Sequence, residues 1–168
     1  MTLQHHLRYV INAHASYPKK PINAFRLWDQ QTPYSIHPLW CAMTIATETT
    51  LPEKIRKDGM ITLLYHDILE DTTKKLPLGL NQNVCHLIRD MTFSGGINEE
   101  IKKIWHKSKE VRLLKLYDKV SNLLDGIWMK PDKRTAYQQY VEQLIKDVEH
   151  NYTKLNIIRI ARAINNVI

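Results

Sequence analysis

Residues 63–72 read LLYHDILEDT, from Leu63 to Thr72. Apolar residues in and around this stretch, Ile61, Leu63, Leu64, Tyr65, Ile68 and Leu69, mark a mostly buried helix. Set into it are His66, Asp67, Glu70 and Asp71. At 100° per residue these four positions fall within an arc of about 140°. Three carboxylates and an imidazole buried together repel one another and lose their hydration. The arc therefore either faces water or gathers around a positive charge. The apolar flanks count against the first option. A lone His-Asp pair is weak evidence of anything; the cluster His-Asp-x-x-Glu-Asp is more specific.

Outward from that stretch the spacing stays helical. Thr50 is a candidate cap and Pro52 a first-turn proline, which predicts a third helix running from there to about Asp71. Upstream, Leu3, Leu7, Val10, Ile11 and Ala15 form one apolar stripe, and the loop SYPKKPINA follows it. Pro33 and Pro38 bracket an extended entry to a second helix over residues 38–49. Downstream, a polar loop over 72–80 precedes helices expected at 81–92, 97–106, 109–125, 132–150 and 153–167. No alternating strand pattern, internal repeat or long linker interrupts the series. The predicted fold class is all-α, a compact single-domain helical bundle over residues 1–168.

A chain of 168 residues buries enough apolar surface to fold without staples. Its 43% hydrophobic and 24% charged residues exclude wholesale disorder. Apolar runs far short of ~20 residues exclude a membrane span, and the N-terminal MTLQHHLRYVINAHA lacks a signal-peptide pattern. Cys41 and Cys85 make no disulfide framework and read as small buried residues of a reducing compartment, so the expected location is cytoplasmic. Trp28, Trp40, Trp105 and Trp128 are expected to be buried or half-buried. His5, His6, His14, His86, His106 and His150 have no ligand spacing to one another.

The formal charge is +7, and residues 101–134 supply most of it. Lys102, Lys103, Lys107, Lys109, Arg112, Lys115, Lys119, Lys130, Lys133 and Arg134 there oppose only Glu110, Asp118, Asp125 and Asp132. Such an excess attracts polyanions, and it equally describes solvated helix faces.

Two further residues matter for chemistry. His37, in TPYSIHPLWCA, is delivered by an extended segment to the start of a helix, and Asp118, in KLYDKVSNLLD, shares a helix face with Asn122 one turn on. Singly they read as a capping or core histidine and a surface acid. With His66 and Asp67 they offer two imidazoles and two carboxylates, a set suited to a borderline divalent ion such as manganese, iron or zinc. Lys119, like Lys115 and Arg112 on or near the Asp118 helix, is a candidate phosphate contact, with a solvated position as the alternative.

In order and register, TPYSIHP with Arg26 eleven residues ahead of His37, HDILEDT and LYDKVSN resemble the HD-domain superfamily of metal-dependent phosphohydrolases. Within it the sequence is most similar to the RelA/SpoT-type hydrolase domain and the small stand-alone alarmone hydrolases, over roughly residues 5–125. The resemblance implies an HD-type helical fold in which His37, His66, Asp67 and Asp118 bind one divalent metal, usually manganese. It further implies that Glu70 and Asp71 position or deprotonate the attacking water, and that Arg26 and Asn122 border the substrate pocket. The implied chemistry is physically coherent. A bound cation lowers the pKa of its water toward ~7 and polarises a phosphoryl oxygen. A carboxylate one turn away takes the proton, and nearby Arg or Lys offsets charge on the phosphate oxygens.

Three positions depart from the alarmone-hydrolase pattern. Leu27 follows the motif arginine where a basic residue is usual, Leu123-Leu124 follow Asn122 where Asn-x-Arg is frequent, and Gln31 replaces a small residue before Thr32-Pro33-Tyr34. None touches the metal set; all lie where a guanine or polyphosphate would be contacted. The expected function is a metal-dependent phosphohydrolase that removes the 3′-pyrophosphate of a guanosine tetraphosphate- or pentaphosphate-like alarmone through a metal-activated water. The expected partner is thus a small phosphorylated nucleotide, not nucleic acid or membrane. A 5′-nucleotidase or dinucleotide phosphatase of the same superfamily is the enzyme alternative. A basic helical nucleic-acid-binding protein with a structural metal is the alternative from another class.

Overall fold

Side-chain caps and a proline set several of the helix starts. The computed structural model describes residues 1–167, and the side chains of residues 1–165. In chain order its helices are α1 (Leu3–Ser16), α2 (Ile36–Ala46), α3 (Glu53–Tyr65), α4 (Ile68–Asp71), α5 (Gln82–Met91), α6 (Gly96–Lys103), α7 (Lys109–Leu124), α8 (Pro131–Tyr152) and α9 (Asn156–Val167). Thr2, Asn81 and Ser108 open α1, α5 and α7 by accepting backbone N–H groups with their side chains. Pro131 opens α8 from the first helical position, where its missing N–H costs nothing. Among the described residues there is no strand, only two isolated bridges, Pro18 to Thr72 and Phe25 to Pro33. The all-α expectation therefore holds; Ile168, the last residue of the expected span, lies outside the described residues.

Helix α7 is the axis of the bundle. From Val111 to Leu123 all but Arg112 and Asn122 are buried, and α2, α3, α5, α8 and α9 pack around it. Leu113, Leu114, Leu116 and Val120 are fully buried or nearly so, worth about 1.5–3 kcal/mol each. Helix α3 comes close to α2 at Gly59, where a Cβ would meet Ile45 Cδ1 at 2.7 Å. Among the described residues no helix is long and apolar enough to cross a membrane.

Several local expectations are corrected. The second helix starts at Ile36, with Pro38 inside its first turn, and stops at Ala46. Thr50 caps nothing: its Oγ1 donates to the Lys154 carbonyl, and α3 starts after Pro52. The last helix starts at Asn156, where the buried Glu48 carboxylate accepts the Asn156 and Ile157 N–H groups at 2.9 and 2.8 Å. Cys41 is buried but Cys85 only partly so. Trp28 and Trp105 stand exposed, at 49% and 37%, whereas Trp40 and Trp128 are half-buried.

The most consequential correction concerns residues 63–72, which form two helices and not one. Helix α3 ends at Tyr65 and α4 begins at Ile68. His66 Nδ1 bonds the Leu63 carbonyl at 2.7 Å, the acceptor that a continuing helix would offer to the Asp67 N–H. The local kink places His66 and Asp67 at a turn, with Glu70 and Asp71 on the short helix beyond.

Candidate metal centre

Two loops carry the N-terminal part of the site. Lys19 N–H donates to the Asp71 carbonyl at 2.8 Å and Thr73 N–H to the Tyr17 carbonyl at 2.9 Å, pinning the segment after α1 beside the end of α4. A tight turn follows, in which Asp29 Oδ1 accepts the Gln31 and Thr32 N–H groups at 2.9 Å each. It folds residues 24–26 against 32–34, through Arg26 N–H to the Thr32 carbonyl at 2.8 Å and Tyr34 N–H to the Ala24 carbonyl at 2.9 Å. Arg26, Tyr34 and His37 thereby arrive together over α7.

All four metal-ligand candidates meet. His37 Nε2 and His66 Nε2 are 3.1 Å apart. Asp67 Oδ2 lies 3.3 and 3.1 Å from them, and Asp118 Oδ1 lies 3.5 and 3.8 Å from them. The ligand atoms of His37, His66 and Asp118 all fall within 4.8 Å of one another. All four residues are buried. The far side of each imidazole is fixed: His66 Nδ1 donates to the Leu63 carbonyl, and His37 Nδ1 pairs with Ser121 Oγ at 2.8 Å. A His66 ring that gives its Nδ1 proton to a carbonyl turns the Nε2 lone pair inward, the usual setting of a metal-ligating histidine.

The electrostatics favour a cation between these atoms. Burial alone would push the His66 imidazole down, yet Asp67 and Asp118 outweigh it and lift its pKa to about 10. Burial would raise Asp67 and Asp118; the two imidazoles hold Asp67 well below the carboxylate range, and Lys119 and Lys115 do the same for Asp118. A site that gathers two carboxylates around inward-facing imidazole nitrogens fits a divalent ion of the nitrogen–oxygen-seeking kind.

Glu70 and Asp71 sit beside this centre with the opposite tendency. Burial, and then the neighbouring Asp67 charge, raise Glu70 to about 7 and Asp71 to about 6. Glu70 Oε1 accepts the Phe93 N–H at 2.9 Å, and Asp71 Oδ1 accepts from Asn23 Nδ2 at 2.9 Å. Acids with such values exchange protons near neutral pH.

Asp71 also lines a cavity of about 310 Å³ together with Arg26, Tyr34, Lys119, Asn122 and Trp128. All three substrate-binding candidates, Arg26, Asn122 and Lys119, are thus brought to one wall, and each is already engaged. Arg26 grips Asp125 with two bonds, Nε to Oδ2 at 2.6 Å and Nη2 to Oδ1 at 2.8 Å, and donates to Asn122 Oδ1 at 3.0 Å. Asn122 Nδ2 in turn donates to Asp118 Oδ1 at 2.7 Å. Lys119 is buried between Asp118 and Glu100. Leu27 and Leu124, two of the departures from the alarmone-hydrolase pattern, are exposed.

Several further residues join the site. Tyr34 donates from its OH to Asp67 Oδ2 at 2.7 Å and stacks on His14, ring centroids 4.8 Å apart. Burial pushes the His14 imidazole down to about 4, so it is neutral. Ser121 lies three residues beyond Asp118, so the helical spacing was the available signal. Tyr34 stands inside TPYSIHP itself. For His14, Asp125 and Glu100 only the tertiary contact reveals the role.

No protein-family model matches this sequence, and no curated protein matches it. The all-helical arrangement nonetheless has a counterpart of known structure. Among solved structures it is similar to a metazoan ortholog of SpoT described as hydrolysing ppGpp and playing a role in starvation responses. The TM-score is 0.73 at 20% sequence identity, covering 98% of this chain and 93% of that one.

Proposed function

We propose that this protein is a metal-dependent phosphohydrolase that removes the 3′-pyrophosphate from a guanosine tetraphosphate- or pentaphosphate-like alarmone. The observation that carries the proposal is the convergence of the His37 and His66 Nε2 atoms with Asp67 Oδ2 and Asp118 Oδ1, next to two acids of near-neutral pKa. The likeness to the SpoT ortholog, which hydrolyses ppGpp, supports the choice of substrate. His37, His66, Asp67 and Asp118 hold one divalent ion in this reading, manganese first and iron or zinc after it. When bound, that ion supplies Lewis acidity to a phosphoryl oxygen and acidifies a water.

The chain's own residues do the rest. Water attacks the phosphorus carried by the ribose 3′ oxygen; a new P–O bond forms, the bond to the 3′ oxygen breaks, that oxygen becomes the 3′-hydroxyl by taking up the proton the acid pair removes from the water, and pyrophosphate leaves. Asp71, whose Oδ1 is engaged by Asn23, receives the water's proton at Oδ2, and Glu70 shares the task at Oε2. Lys119 and Arg26 place positive charge along the cavity wall, where phosphate oxygens gather it. Asn122 ties Arg26 to Asp118 and so links substrate wall and metal centre. We read residues 1–168 as one functional unit, working on a small phosphorylated nucleotide in the cytoplasm.

A second reading, a 5′-nucleotidase or dinucleotide phosphatase, draws support from Leu27 and Leu124, exposed and apolar where alarmone hydrolases carry basic residues. The nucleic-acid-binding alternative loses ground because Lys103, Lys107, Arg112 and Lys115 of the basic segment are held in ion pairs. The test is a panel of guanosine tetraphosphate, 5′-mononucleotides and nicotinamide dinucleotide phosphate, with metal-stripped protein, added manganese, and Asp67→Ala as control. Manganese-dependent pyrophosphate from the first substrate supports the alarmone reading. Orthophosphate from another moves the enzyme to the second, and no turnover at all overturns both.

A further inference from the structure

The Asp118 carboxylate is held at both ends by different partners. Oδ1 faces the imidazoles, whereas Oδ2 accepts from Lys115 Nζ at 3.1 Å and Lys119 Nζ at 3.0 Å. Both ammoniums also lie 3.0 Å from Oε2 of Glu100, and Tyr140 OH donates to Glu100 Oε1 at 3.0 Å. The side chains of Lys115, Lys119, Glu100 and Asp118 are all under a tenth exposed, at 3%, 9%, 5% and 3%. Desolvating an ion costs several kcal/mol even after relaxation, and apolar residues of similar volume fill such space at least as well. Packing is therefore a poor reason for four buried charges. Their placement against the free oxygen of a metal-ligand carboxylate is a better one.

Resting on the metal reading above, we propose that Glu100 is a positioning residue of the metal centre. It binds the two ammoniums that hold Asp118 Oδ2, so that Asp118 presents Oδ1 alone to the cation, and it cancels one of their two charges. With both imidazoles neutral, as metal ligands must be, Asp67, Asp118 and Glu100 against Lys115 and Lys119 leave the buried cluster one negative charge to meet a divalent ion. Removing the Glu100 charge brings that sum to zero; removing the Lys115 charge doubles it. The two changes push cation affinity in opposite directions, whereas loss of packing at either position pushes it in one direction only.

The experiment measures Mn²⁺ binding to the metal-free full chain at one pH, by the electron paramagnetic resonance of free Mn²⁺. Urea unfolding of each variant is run alongside. Glu100→Gln is expected to weaken Mn²⁺ binding about tenfold or more, and Lys115→Met to tighten it by about threefold or more. Tyr140→Phe removes a hydrogen bond to Glu100 without changing charge and is expected to bind within about twofold of the original chain. Wild-type affinity in Glu100→Gln, or weakening in Lys115→Met, overturns the proposal while leaving the metal centre intact. Where Glu100→Gln does not fold, the Lys115→Met result decides alone. Absence of Mn²⁺ binding by the unsubstituted chain overturns the metal reading itself.

Discussion

Glu70→Gln is expected to stabilise the metal-free protein at alkaline pH. Glu70 is raised from an ordinary 4.5 to about 7, chiefly by burial and then by Asp67. A folded-state pKa above the unfolded value means that the folded chain resists ionisation. The stability that the neutral acid contributes is fully present below pH 4.5 and is lost as pH rises through about 7. The gap corresponds to about 3 kcal/mol, an upper bound because water and side chains relax around a buried charge. Glutamine keeps a carbonyl oxygen for the Phe93 N–H and cannot ionise. The assay is urea unfolding of chelator-treated wild type and variant between pH 4.5 and 8.5. His66, raised to about 10, also contributes stability that is lost with rising pH, from 6.5 upward, but it does so in both proteins. The difference between the two curves thus isolates Glu70. The variant is expected to gain up to about 3 kcal/mol over wild type above pH 7 and little at pH 4.5. A variant that is less stable than wild type at pH 8.5, or a difference that does not change with pH, refutes the reasoning.

Other outcomes follow from the same geometry. Glu48→Ala leaves the Tyr117 OH and the first N–H groups of α9 without their acceptor; urea unfolding should show a loss of about 2–5 kcal/mol, from about 1–3 for each buried group left unpaired. Ser121→Ala removes the partner of His37 Nδ1 and should weaken Mn²⁺ binding about 10–100-fold, measured by equilibrium dialysis. The value of kcat/KM should rise with pH along a limb set by the Glu70–Asp71 pair, at or below their metal-free values of about 7 and 6, since a bound cation lowers both. Asp71→Asn should remove the lower part of that limb and leave the part set by Glu70, read from the pH–rate profile.

The helices and the centre were legible in the sequence to different depths. Helix α7 could be read almost whole, because Val111 to Leu123 keep a helical period and Ser108 is a capping residue. The four ligand candidates could be read as a set, because each sits in a short motif. The break at His66 and Asp67 could not, since it depends on a side chain taking the Leu63 carbonyl, and the apolar pattern runs through it unchanged. Trp28 stands exposed because the Asp29 turn lifts it away from the core, which no periodicity encodes. Glu100 reads as one of several charges in GINEEIKK, and only the packing of α6 against α7 and α8 shows that it is buried between two lysines. Arg26 reads as a substrate contact from its motif alone; its bidentate partner Asp125 lies ninety-nine residues away.

The central claim is that four side chains from α2, the α3–α4 turn and α7 hold one divalent ion. The most direct measurement is the Mn²⁺ stoichiometry of the metal-stripped chain, set beside His66→Ala and Asp118→Ala variants shown by urea unfolding to fold. The account expects one ion per chain in the wild type, with the same site lost in both variants. A wild type that binds no ion, or variants that bind it as the wild type does, would contradict it.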